Sequence, residues 1–123
     1  MKGDFFMTTV MIVDDSLFMR NYLENIVKNH GYQVVAKAED GCQAIELYKQ
    51  WKPEFILLDI TMPCQNGMVT LKTIMQLNRN AKVIMCSALG QQHLIIESIR
   101  IGAKDFVVKP FFRNLISTLK KHA

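Results

Sequence analysis

Polar residues stand where apolar runs stop. Asp14 and Asp15 follow Thr9-Val10-Met11-Ile12-Val13, Asp59 ends Phe55-Ile56-Leu57-Leu58, Ser87 follows Lys82 to Cys86, and Lys109 follows Lys104 to Val108. Carboxylates gathered in one place repel, so they need a cation or must take up protons. Hard oxygen ligands with open positions suit Mg2+, which takes one or two carboxylates, several waters and a phosphate oxygen. A carboxylate is also a nucleophile that can form an acyl phosphate. A transferring phosphoryl group carries charge on its equatorial oxygens, and these need positive partners. Mg2+ would keep Asp59 ionised and take one oxygen, Lys109 a second, and the Ser87 hydroxyl with backbone N–H groups a third. Singly, each residue has a structural explanation: an acid pair after a strand caps a turn or helix, a serine belongs to a turn, a lysine to the surface. Their joint occurrence at four strand ends favours a phosphoacceptor site.

That argument needs the strands to be parallel and adjacent, and the hydropathy pattern supplies this. The apolar runs within Thr9–Val13, Phe55–Leu58 and Lys82–Cys86 read as strands buried on both faces. Gln33–Ala38 and Lys104–Val108 complete five strands. Between them lie amphipathic helices. Ser16 caps the first, which runs to about His30 with Met19, Leu23, Ile26, Val27 and His30 on one face, and Gly31 stops it. Asp40 caps the second, with Gln43 as its capping-box partner; it buries Cys42, Ile45, Leu47 and Tyr48 and ends before Pro53. Trp51 closes that helix as a packing residue. A loop with Pro63, Asn66 and Gly67 leads to a third helix over about 68–77. A fourth spans about Gln91–Ile101 and closes at Gly102, and a fifth spans about 112–121. Strand–helix alternation with short crossovers gives an α/β fold with a parallel sheet covered on both faces. Sites in such sheets lie at the carboxyl ends of the strands, where the polar residues fall.

Composition narrows the class. The chain has 123 residues, one domain's worth. Half the residues are hydrophobic and 21% are charged, which excludes a disordered chain. No apolar run approaches the ~18 residues a spanning helix needs, and no signal-peptide stretch opens the chain. Three cysteines without a CxxC motif indicate neither a disulfide framework nor a zinc knuckle. Reduced thiols and a cytoplasmic location are the expectation. Cys86 should be an inert buried thiol, and Cys64 a small loop residue of no chemical consequence. Residues 100–123 carry six Lys/Arg against one Asp, within an overall charge of +4. No basic run or aromatic interleaving supports nucleic-acid binding.

Over about residues 8–121 the sequence resembles the receiver domains of two-component response regulators. The matching stretches are Val10-Met11-Ile12-Val13-Asp14-Asp15, Leu58-Asp59-Ile60-Thr61-Met62-Pro63 with Gly67, Cys86-Ser87-Ala88 and Val108-Lys109-Pro110-Phe111. Met85 to Gln92 and Gly102 to Phe111 are most similar to the single-domain chemotaxis regulators of this family. The resemblance implies a flavodoxin-like, doubly wound five-stranded sheet in the order 2-1-3-4-5, with residues 1–7 as an N-terminal arm and 8–123 as the receiver domain. It also implies residue roles. Asp59 is the phosphoacceptor; Asp15 ligates Mg2+ directly, with Asp14 nearby or through water, and the Thr61 backbone carbonyl adds a ligand. Lys109 pairs with the phosphoryl group, Ser87 is the switch hydroxyl, Phe106 the aromatic that turns inward, and Pro110 follows a cis peptide. Phe106 stands where many members have Tyr, so no hydroxyl acts there.

The expected function is therefore a signalling switch and not an enzyme acting on other molecules. It would take its phosphoryl group from a histidine kinase of the chemotaxis type and hydrolyse it slowly. The expected target is a flagellar motor switch protein, contacted by helix four, strand five and helix five, and a phosphatase is a further expected partner. Neither nucleic acid nor membrane insertion is expected, and the chain should act as a monomer. With no output domain after helix five, output would be by protein contact. The alternatives are a phosphorelay shuttle, a receiver fragment of a larger regulator, or a metal-dependent phosphotransferase with external substrates. The last lacks a second acid/base and a substrate-pocket segment. A flavin phosphate would be repelled by the acidic rim.

Overall fold

The structure is a computed structural model and describes residues 7–62, 66–110 and 113–123. Five strands alternate with five helices: β1 (Thr9–Val13), α1 (Leu17–Lys28), β2 (Gln33–Ala38), α2 (Gly41–Trp51), β3 (Phe55–Asp59), α3 (Gly67–Leu77), β4 (Lys82–Ser87), α4 (Gln92–Ile101), β5 (Asp105–Val108) and α5 (Leu115–Lys121). The sheet is wholly parallel in the order β2-β1-β3-β4-β5. The chain therefore winds one way from β1 to β2 and the other way from β3 to β5. The crevice between β1 and β3 opens at their carboxyl ends, where ligand sites form in sheets of this kind.

Side-chain alternation sorts the strands into two cores. Met11, Val13, Ile56, Leu58 and Met85 face Ala44 and Tyr48 of α2 and Leu71 and Ile74 of α3. Val10, Ile12, Phe55, Leu57 and Ile84 face Leu23 and Val27 of α1 and Leu115 and Leu119 of α5. Phe55, Ile56, Leu57 and Leu58 are wholly buried. Each contributes on the order of 1.5–3 kcal/mol by burial, which makes β3 a rigid mount for Asp59. The Tyr48 hydroxyl, at the edge of the first core, accepts from Asn78 Nδ2 at 3.0 Å.

The expected caps form. Ser16 Oγ accepts from Met19 N–H at 3.2 Å, and Asp40 Oδ1 from Gln43 N–H at 2.8 Å. Gln43 reciprocates one residue earlier than a standard capping box, its Oε1 accepting from Glu39 N–H at 2.7 Å.

Several expectations at element ends are corrected. Helix α1 ends at Lys28, so His30 lies in the following turn and is exposed. Cys42 is exposed too, because Ala44 and Tyr48 set the buried face of α2 and Cys42 points away from it. Trp51, at the last position of α2, is 49% exposed and so not a packing residue. Helix α5 begins at Leu115, after Arg113 and Asn114 form a turn. Cys64 and Pro63 lie outside the described residues, as do Phe111 and positions 1–6 of the expected arm.

Candidate phosphoacceptor site

Asp14, Asp59, Ser87 and Lys109 arrive at one rim because their strands are neighbours in register. Val13 lies opposite Leu58, Asp59 opposite Cys86, and Ser87 opposite Val108. Asp14 is buried, its backbone N–H donating to Ala38 O at 3.0 Å. Its Oδ1 accepts from Ser16 N–H at 2.9 Å, and its carbonyl from an Arg20 guanidinium nitrogen at 2.7 Å. Asp59 is also buried, and Oδ1 accepts a long bond of 3.4 Å from Thr61 N–H. Asp15 is exposed at the mouth. Carboxylate oxygens of Asp14, Asp15 and Asp59 all lie within 4.8 Å of one another.

Lys109 bridges the two buried acids, with Nζ 2.8 Å from Asp14 Oδ2 and 3.0 Å from Asp59 Oδ1. The Lys109–Pro110 peptide is cis, and Lys109 N–H donates to Ser87 O at 2.7 Å. Burial opposes the charge on Lys109, but its contacts with Asp14 and Asp59 outweigh that and raise its pKa. Asp59 shows the opposite imbalance. Burial, with help from the Asp14 charge, pushes its carboxyl up to about 6, against the pull of Lys109 and the Thr61 N–H. Behind it, burial pushes the Cys86 thiol up to about 12, so this cysteine is inert as expected.

Whether these residues fit a divalent cation is decided by the donor set. Three carboxylates face one ammonium, and the buried Asp14 Oδ2 pairs with Lys109 without the alignment of a hydrogen bond. An oxygen-only, electron-rich cluster with one acid at the solvent side matches what Mg2+ takes.

Ser87 is fully buried at the end of β4, where its hydroxyl donates a weak bond of 3.5 Å to Val107 O. Phe106 points outward, 39% exposed, over a groove of about 350 Å³ that Leu89, Ile95 and Ile96 also line. Of the C-terminal basic residues, Lys109 is bound to the acids and Lys121 pairs with Asp105 at 3.6 Å.

Three features of the site had no role in the sequence reading. Arg20 holds the Asp14 carbonyl from one turn into α1. Gly67 opens α3 so close to β3 that any side chain would overlap the Asp59 carbonyl oxygen and approach Ile60 Cα to 2.8 Å. Gln91 joins the loops that follow β3 and β4. The glycine belongs to a matching stretch of sequence, but its reason is a backbone approach that only the fold brings about.

Parallel-sheet topology and an acid rim facing one lysine define a receiver-type architecture, and comparison with known proteins agrees. Residues 10–120 match the response regulator receiver domain family, and the chain belongs to that family. It is 52% identical to the chemotaxis protein CheY of Thermotoga maritima over 102 residues, which cover 83% of this chain and 85% of that protein. Identity with CheY of Bacillus subtilis is 50% over the same shares. Among solved structures, the CheX-CheY-BeF3-Mg+2 complex from Borrelia burgdorferi superposes with a TM-score of 0.91 at 35% identity, covering 98% of this chain and 93% of that one. The chain is thus a CheY-like receiver of the two-component class, a signalling module. Among the described residues no helix is long and apolar enough to cross a membrane.

Proposed function

We propose that this protein is a phosphorylation-operated chemotaxis switch, with Asp59 as the phosphoacceptor and a histidine kinase as the donor. The observation that carries this reading is the placement of Asp59: buried, 3.0 Å from Lys109, and within 4.8 Å of two further carboxylates. When bound by Asp14, Asp15, Asp59 and the Thr61 carbonyl, Mg2+ supplies positive charge that offsets carboxylate repulsion and the charge of the incoming phosphate. An Asp59 carboxylate oxygen attacks phosphorus; the new O–P bond forms as the phosphohistidine N–P bond breaks, and the electron pair leaves with the imidazole. Lys109 follows the developing charge, moving from its shared position between Asp14 and Asp59 onto a phosphoryl oxygen. Burial at the end of β3 keeps bulk water from the acyl phosphate, consistent with slow self-hydrolysis.

The readout follows from connection. Ser87 carries the switch hydroxyl, its carbonyl is bonded to Lys109 N–H, and its loop leads into α4. A shift of that loop opens room for Phe106 to turn inward and reshapes the groove beside α4 and β5. A flagellar motor switch protein is the target this reading assigns to that face, and a phosphatase is a second partner. Residues 8–123 act as the receiver unit, in a cytoplasmic setting.

The test is incubation with acetyl phosphate, with and without Mg2+, followed by intact mass. One phosphoryl adduct on the wild type with Mg2+, and none on Asp59→Asn, is the expected result. An adduct of equal yield on Asp59→Asn would overturn the assignment.

A further inference from the structure

The loops on either side of Asp59 are tied together by one side chain. Gln91, the residue before α4, is half-buried. Its Oε1 accepts from Ala88 N–H at 2.7 Å, and its Nε2 donates to Thr61 Oγ1 at 2.9 Å. Chemistry fixes the orientation of this carboxamide. A backbone N–H can only donate, so the oxygen must face Ala88 and the NH2 must face Thr61. Both ends of the bridge lie next to site residues. Ala88 follows Ser87, and Thr61 N–H donates to Asp59 Oδ1. Lys109 N–H already fastens the third loop to Ser87 O, and the Gln91 carboxamide fastens the remaining one.

We propose that Gln91 is a positioning residue for the phosphoacceptor site, a latch that holds the Thr61 loop and the Ser87 loop in one arrangement. The proposal rests on the phosphoacceptor reading, in which the Thr61 carbonyl is a metal ligand and Ser87 the switch. Held this way, the two loops do not sample separate positions before the cation arrives, so part of the ordering cost is met in advance. The latch also couples the two loops, since a displacement of Ser87 and Ala88 toward a phosphoryl group pulls on the Thr61 side. A hydrogen bond of ordinary net strength shifts such an equilibrium about 2- to 10-fold.

Gln91→Ala, Thr61→Val and the double variant test this, after circular dichroism has shown that each folds. In metal-free protein, hydrogen exchange of the Ala88 amide should quicken about 3- to 10-fold in Gln91→Ala. It should stay slow in Gln91→Glu, whose carboxylate still accepts from Ala88 N–H while the Thr61 hydroxyl turns to donate. By titration calorimetry, Gln91→Ala and Thr61→Val should each weaken Mg2+ binding by a similar factor. The double variant should be no weaker than either single one, because both remove the same bridge. Wild-type exchange and Mg2+ affinity in Gln91→Ala, or strictly additive losses in the double variant, would overturn the latch. A wild type that takes no Mg2+ would instead overturn the site reading itself, with Ala88 exchange still deciding whether the bridge forms.

Discussion

Asp59 and Asp105 each sit beside a lysine, yet their carboxyls move in opposite directions. Asp59 lies at the carboxyl end of β3, buried, sharing one ammonium with Asp14. Asp105 opens β5 near the surface, with His122 Nε2 at 3.0 Å, Lys121 at 3.6 Å and the Phe106 N–H at 2.9 Å. Burial raises both. At Asp105 the His122 hydrogen bond, the Phe106 N–H and Lys121 outweigh it and lower the pKa. At Asp59 the single Lys109 does not, and the pKa rises to about 6. The Asp105 cluster is satisfied by the chain itself, which marks it as structural. The Asp59 cluster is left short of positive charge, and that shortage is what a cation would fill before an anionic phosphoryl group could be held there.

The contrast is broken most sharply by removing Lys109. In metal-free Lys109→Met, Asp14 and Asp59 face each other with no cation, and stability should fall by about 2–4 kcal/mol at pH 8. The loss should shrink at pH 5, where Asp59 takes up a proton. Urea unfolding at the two pH values measures it, and an equal loss at both would contradict the contrast.

Asp59→Asn should act in the other direction. A carboxyl held above its ordinary value makes ionisation costly in the fold. That cost is full above pH ~6 and vanishes as pH falls toward the ordinary carboxylate range. Two pH units correspond to at most about 3 kcal/mol, and screening at the rim reduces this. Metal-free Asp59→Asn should gain about 1–2 kcal/mol at pH 8 and nothing near pH 4. Thermal melts across this range check the sign.

Asp105→Asn removes the carboxyl that the chain itself satisfies. Its carboxyl is lowered in the fold, so its contribution is present above the ordinary Asp pKa and lost as pH falls through the lowered value. Much of this cluster faces solvent, and the expected loss at pH 7 is about 0.3–1 kcal/mol. A gain at pH 7 would show that Asp105 is strained like Asp59. The smallest effect concerns Cys86, which shares the burial of Asp59. Iodoacetamide at pH 8 should modify exposed Cys42 and leave Cys86 untouched in the folded protein, as peptide mass mapping would record.

The same two regions show how far sequence reading reaches. Strands β1, β3 and β4 announce themselves by the apolar runs they contain, and Ser16 and Asp40 cap as their positions suggest. Once the strands are parallel neighbours, the convergence of Asp14, Asp59, Ser87 and Lys109 follows from where each strand stops. Periodicity failed at element ends. His30, Cys42 and Trp51 lie just after, near the start of or at the last position of a helix, so a residue or two decides whether a side chain faces core or solvent. Contacts between distant segments were also invisible. The 30-residue separation of Thr61 and Gln91, the Asp105–His122 pair and the approach of Gly67 to Asp59 arise only when the layers pack.

Three carboxylates facing one ammonium leave the acid rim short of two positive charges, the number that a bound Mg2+ would supply. A carbon-detected NMR titration of the Asp59 carboxyl, with and without Mg2+, measures this directly. The expected result is a midpoint near 6 in metal-free protein, a marked fall on adding Mg2+, and an Asp105 midpoint below the ordinary range that does not respond to the metal. An Asp59 midpoint at the ordinary carboxylate value, unmoved by Mg2+, would contradict it.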